Sequence, residues 1–271
     1  MRSRELASLL ILAALPSLAQ AQSRPDASPA RETIAPRQHA PMRLHGYTPS
    51  GKVQSENWSG YAVTGSAFTV AKGSWTVPSV NCSKTPNTYS SFWVGIDGYS
   101  SSTVEQTGTD SDCSGSSARY YAWYEFYPAG SILISSVGVS PGNKMSASVT
   151  YSGSQFTVKI TNVTTGKSFS KSGRVSGARR TSAEWIAEAP CCTRSGGILP
   201  LSDFGTVYLG SDYTKVSGTN DATDGAISGP ISQFGSSVFS ITMVSSSGAT
   251  EAVPSSLTKD GTSFDVVWKS E

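Results

Sequence analysis

The chain of 271 residues has only two histidines, His39 and His45, and none from Asn57 onward. If the segment before Asn57 is removed, a Ser-His-Asp triad, a Cys-His pair and a histidine zinc site are all excluded from the remainder. Charge is scarce too. Lys, Arg, Asp and Glu make up 15% of the residues, below the usual quarter, and the net charge is +2. No Lys/Arg cluster stands out, so no nucleic-acid partner is expected. Long apolar runs are absent. The stretch from Leu6 to Leu18 is too short to span a bilayer well, and no later stretch comes nearer, so no membrane partner is expected. No long amphipathic helix is apparent, which leaves strands to build the core.

What is present divides the chain in three. MRSRE is a basic start, an apolar run follows, and Ala19-Gln20-Ala21 offers a small-residue cleavage site. Residues 1–21 therefore read as a secretory signal peptide, and the protein as secreted. Residues 22–55 are rich in Pro and Arg, lack strand alternation, and read as disordered or as a propeptide. Residues 56–271 form the expected mature domain. From Asn57 on it has 14 Lys/Arg against 15 Asp/Glu, whereas the segment from Gln22 to Glu56 has 5 against 3. Four cysteines suit export and allow three pairings. Cys82–Cys113 is the favoured one, closing a loop around residues 91–113. The adjacent Cys191 and Cys192 either bond to each other or stay reduced. No metal or other cofactor is expected, since no histidine stands near them.

The domain alternates with period two. Met145, Ala147, Val149 and Tyr151 alternate with Ser146, Ser148 and Thr150; Phe239, Ile241 and Met243 alternate with Ser240 and Thr242. FTVKIT (156–161), a turn, and SFSKS read as a hairpin. The fold class is all-β, an antiparallel sandwich or barrel, with one solvated face expected for each strand.

Common motifs fail. TTGKS (164–168) lacks the first glycine of a phosphate loop, and no GxSxG occurs. Three stretches hold most of the chemistry: SFWVGIDGYSSSTVEQTGTDSDC (91–113), YYAWYEFYPAG (120–130) and AEWIAEAP (183–190). As strands, the second puts Trp123, Glu125 and Tyr127 on one face, and the third does so with Glu184, Ile186 and Glu188. Together they offer Asp97, Asp110, Glu125, Glu184 and Glu188 and no cation, with Arg119 just before the second stretch. Carboxyls sharing a cleft cannot all ionise cheaply, so some hold protons above their ordinary range. That predicts an acid-working site whose general base is a carboxylate.

NWSGYAV (57–63), GSWTVPSV (73–80), WVGIDGY (93–99), EQTGTD (105–110), AWYEFYP (122–128), AEWIAEAP (183–190) and LSDFGTVYL (201–209) resemble, in order, the G1 peptidases, the glutamic peptidase or eqolisin family. The resemblance implies a concanavalin-like β-sandwich of two large antiparallel sheets with a substrate groove on a concave face. It implies a secreted, pepstatin-insensitive acid endopeptidase, made as a zymogen, that acts on proteins and peptides without metal or cofactor; a monomer is expected. Gln106 matches the catalytic glutamine and Glu188 the catalytic glutamate, with Glu184 as the alternative. Asp97, Asp110, Trp123, Glu125 and Tyr127 match residues that line and order the site. On this reading Glu188 removes a proton from water, Gln106 stabilises the oxyanion, and Glu188 returns the proton to the leaving nitrogen. Ala189-Pro190-Cys191-Cys192 departs from the family pattern, and the two-chain processing region is missing. The propeptide's arginines are expected to cover the acidic groove until acid releases them, with self-cleavage near residues 45–56. The competing readings are a lectin-like glycan binder and a two-carboxylate glycoside hydrolase.

Overall fold

The computed structural model describes residues 32–50, 52–191 and 197–271. The signal peptide, the start of the expected propeptide and Cys192 lie outside them. Period-two alternation produces eighteen strands among the described residues, in chain order β1 (Leu44–Tyr47), β2 (Val53–Ser55), β3 (Trp58–Thr64), β4 (Phe68–Thr76), β5 (Ser91–Ile96), β6 (Val104–Ser114), β7 (Ser117–Tyr127), β8 (Ile132–Ile134), β9 (Lys144–Ser152), β10 (Gln155–Asn162), β11 (Lys167–Gly173), β12 (Ser182–Glu188), β13 (Thr206–Leu209), β14 (Asp221–Asp224), β15 (Ile227–Pro230), β16 (Val238–Val244), β17 (Thr250–Pro254) and β18 (Phe264–Trp268). Helix among these residues is limited to Ser211–Thr214 and a 3-10 stretch, Ile231–Ser237.

The strands form two layers. One runs β1-β2-β16-β3-β12-β5-β6-β7-β8. The other runs β11-β10-β9-β4, with β13 and β14 on the far edge of β4, then β18 and β17. The β16–β17 pairing joins the layers at one end. Pairing is antiparallel throughout, except that β2 runs parallel to β16. The expected sandwich is therefore present, and FTVKIT and SFSKS are the hairpin β10–β11.

Alternation decides which side chains fill the space between the layers. On β12, Ala183, Trp185 and Ala187 enter the main core with Phe92, Val94, Trp75, Met145 and Ile160. The Trp185 indole N–H donates to the Lys72 carbonyl of the other layer at 2.6 Å, so this buried donor is satisfied. Cys82 and Cys113 are bonded, as favoured, with Cα atoms 5.2 Å apart. Cys191 is also disulfide-bonded.

Two expectations need correction. The first concerns wet faces. Every residue of β5 and β12 is buried, including the carboxyl face of β12. A second apolar cluster covers that face: Trp58, Trp93, Val104, Trp123 and Ile186, together with Ala35 and Met42 from the N-terminal segment. The second concerns residues 22–55, whose described part is not disordered. Residues 32–43 lie along the outer face of the first layer, and β1 and β2 pair with each other. These strands are four and three residues long. They are held through main-chain pairing, which leaves little side-chain pattern to read.

Candidate active site

Strand β5 sets the site because it pairs on both edges. Ser91 lies opposite both Asp110 and Glu188, Trp93 opposite Gly108 and Ile186, and Gly95 opposite Gln106 and Glu184. Beyond β6, Glu125 lies opposite Gln106, Trp123 opposite Gly108 and Tyr121 opposite Asp110. Side chains in these rows share one face of the sheet. Gly108 permits the close approach of two indoles. A Cβ there would lie 2.4 Å from the Phe92 carbonyl oxygen, 2.5 Å from Trp93 Cβ and 3.0 Å from the Trp123 ring.

The chain's own N-terminal segment runs through this site, and His39 stands at its centre. The His39 ring stacks on Trp123 with centroids 3.6 Å apart and planes 6° from parallel. Its Nδ1 lies 3.3 Å from Glu188 Oε2 and its Nε2 3.7 Å from Asp110 Oδ1. The His39 N–H donates to Glu125 Oε2 at 3.0 Å. Gln106 Nε2 donates to the His39 carbonyl at 2.7 Å and to Glu125 Oε2 at 3.0 Å. One residue of the segment thus touches both Gln106 and Glu188. Trp93 Nε1 donates to Glu188 Oε2 at 2.7 Å, which fixes that carboxyl.

The site is buried, and burial favours the protonated form of its acids. Burial raises Glu188 well above the ordinary Glu range, and the charges of Glu125 and Asp110 push further, partly offset by the Trp93 N–H. Glu125 is raised by burial and by Asp110, against the His39 and Gln106 N–H groups that favour its ionised form. Asp110 is raised by burial and by Asp112. Asp112 is pushed up to about 6 by burial, while Arg37 favours its charged form. The Tyr121 hydroxyl lies 2.7 Å from Asp110 Oδ2 and 3.0 Å from Asp112 Oδ2. One O–H can donate only once, so the second contact needs a proton on a carboxyl. Burial, and secondarily the Arg37 charge, lower His39 well below the ordinary imidazole value, which favours the uncharged ring. Among the described residues, no group of three or more His, Cys, Asp or Glu side chains is placed to hold a metal ion.

The structure brings Gln106, Asp110, Trp123, Glu125 and Glu188 together around His39. Tyr127 packs at the edge of the same aromatic cluster. Asp97 and Glu184 go elsewhere. Asp97 accepts the backbone N–H groups of Arg179, Arg180 and Thr181 at 2.8, 2.6 and 2.9 Å, pinning the approach to β12. It orders the strand that carries Glu188 but makes no described hydrogen bond to Glu188 or Gln106. Glu184 is buried beside Asp97 and Glu105; burial raises it well above the ordinary Glu range, offset in part by the Ser182 hydroxyl and the Tyr99 backbone. Sequence reasoning missed His39, which it assigned to a removed segment. It also missed Trp93, Asp112 and Tyr121, although WVGIDGY and the 91–113 stretch contain two of the three. Arg37 was missed as well; it lies 3.3 Å from Asp112 and over the Tyr89 ring.

Comparison with known proteins identifies the family. The model of the Peptidase A4 family matches residues 56–253. Aspergillopepsin-2 of Aspergillus niger is 30% identical over 211 residues, covering 69% of this chain and 73% of its own. Scytalidopepsin B of Scytalidium lignicola is 34% identical over 171 residues, covering 61% and 64% respectively. Among solved structures, scytalido-glutamic peptidase with a transition state analog inhibitor superposes with a TM-score of 0.65 at 27% identity, over 79% of this chain and 98% of that one. Aspergilloglutamic peptidase from Aspergillus niger gives 0.56 at 27% identity, over 67% and 99%.

Proposed function

The chain belongs to the Peptidase A4 family and is a glutamic endopeptidase, and we propose that Glu188 and Gln106 are its catalytic pair. The observation that carries this reading is that one residue of a peptide laid through the cleft meets both groups: the His39 carbonyl accepts from Gln106 while its ring lies against Glu188. In turnover, water takes the place of that ring. Ionised Glu188 removes its proton, the oxygen adds to the substrate carbonyl, and the Gln106 amide stabilises the oxyanion. Glu188 then passes the proton to the leaving nitrogen. An amide does not titrate, so the acid limit of activity follows Glu188, which ionises more readily once the segment leaves and water reaches the cleft. At higher pH, ionisation of Glu125 and Asp110 places charge beside the base and ends the working range. Because the pair is a carboxylate and an amide rather than two aspartates sharing a proton, pepstatin should not inhibit.

The same reading makes residues 1–21 a secretion signal and the segment after it an inhibitory propeptide. Residues 33–38 make main-chain bonds to Ser131, Leu133 and Cys191. That favours a peptide over a sugar as the natural occupant. SCP-B, another member of the family, is described in complex with the tripeptide Ala-Ile-His. The test is casein hydrolysis from about pH 2 to about pH 8 with pepstatin present, comparing acid-treated wild type with Glu188→Gln. Acid-limited, pepstatin-resistant cleavage that vanishes in the variant is expected. Cleavage surviving in the variant would remove Glu188 from the base position.

A further inference from the structure

The segment that fills the cleft is held on both sides of one peptide bond. Upstream, Ala35 N–H donates to the Ser131 carbonyl at 2.9 Å, and Gln38 exchanges two bonds with Cys191, each 2.8 Å. Downstream, Asn57 Nδ2 donates to the Ala40 and Pro41 carbonyls at 3.4 and 3.2 Å, and Met42 N–H donates to the Gly98 carbonyl at 3.0 Å. Between these anchors, the His39 carbonyl receives the Gln106 amide. We infer that the His39–Ala40 bond is the chain's self-processing junction, cut first and by its own Gln106 and Glu188. This rests on the reading of those two residues as the catalytic pair.

The step balances with one water. Its oxygen adds to the His39 carbonyl carbon while Glu188 takes one of its protons. The carbon–nitrogen bond to Ala40 breaks, and the proton held by Glu188 goes to that nitrogen. The products are a new carboxyl group on His39 and a new amine on Ala40. The seated chain stays intact because the imidazole occupies the space beside Glu188 that the water needs, so the ring must swing off Trp123 before the cut. The stretch 45–56, where processing was first expected, is less suitable. Leu44, Gly46 and Tyr47 pair with Ser55, Gln54 and Val53, and β2 is also bonded to β16. A bond there cannot reach Gln106 without unpairing that sheet edge. A cut at 39–40 frees the upstream part and leaves the new terminus anchored by Asn57.

The experiment is a time course of the purified full-length pro-form after acidification, read by intact mass and N-terminal sequencing at several protein concentrations, with casein hydrolysis followed in parallel. The expected result is that the earliest new terminus is Ala40, with a first-order rate independent of concentration. A first terminus within 45–56, or a rate that rises with concentration, overturns the inference even where casein is digested. Failure to digest casein as well would overturn the catalytic reading beneath it.

Discussion

Glu184 and Glu188 project from the same face of β12, and both are fully buried, yet they end in different surroundings. Glu188 meets the Trp93 N–H, the His39 ring and the fields of Glu125 and Asp110. Glu184 meets two further acids, Asp97 and Glu105, with the Ser182 hydroxyl and the Tyr99 backbone N–H as the donors near it. Burial raises both acids, so a perturbed pKa does not by itself tell them apart. What separates them is an oriented donor, a neighbouring amide and a position where peptide lies.

The sharpest way to break this comparison is to neutralise each acid in turn. Glu188→Gln should lower kcat by at least about a thousandfold, whereas Glu184→Gln should keep activity within about tenfold. Comparable losses in steady-state casein assays would mean the two clusters are not functionally distinct. Next in size is Gln106→Ala, expected to lower kcat by about a hundredfold to a thousandfold through loss of the oxyanion donor. A change confined to KM would contradict that role.

The sealed cluster makes a different prediction. Burial, and then the charge of Asp97, push Glu105 from 4.5 up to about 9. Its folded state therefore holds a proton that its unfolded state releases. The associated stability is complete below about 4.5 and is lost as pH rises toward about 9, at up to about 1.4 kcal/mol per pH unit. Glu105→Gln should flatten the fall in Tm across that window; an unchanged slope in thermal melts would place the pH sensitivity elsewhere. The smallest effect concerns Arg37. Its ion pair with Asp112 is partly exposed, with 24% of the Arg37 side chain accessible. Arg37→Ala should weaken seating of the segment by about 1 kcal/mol where Asp112 is ionised, above about pH 6, speeding processing a few-fold there. No change in that rate would leave the segment held by its main chain and His39 alone.

Much of this was legible in the residues. The alternation around Met145–Tyr151 and the 156–173 hairpin specified strands, because period two is a property of the chain itself. The motif stretches carried Gln106, Asp110, Trp123, Glu125 and Glu188. The roles of Asp97 and Glu184 were not legible. A strand pattern tells which face a side chain takes, but not whether that face meets the cleft, a turn or another strand's acids. The same limit hid the burial of β12's carboxyl face, which depends on a cover from residues far away in sequence.

The sequence by itself determined the all-β class, the dearth of histidine after Asn57, and the small set of acids available for proton transfer. These follow from composition and periodicity. Tertiary structure alone decided that Glu188 rather than Glu184 shares a peptide with Gln106, and that His39 fills the space between them. The reason is physical: β5 pairs with β6 on one edge and β12 on the other, which puts Gln106 in the row of Glu184 and Asp110 in the row of Glu188, and only the segment carrying His39, crossing those rows, joins Gln106 to Glu188.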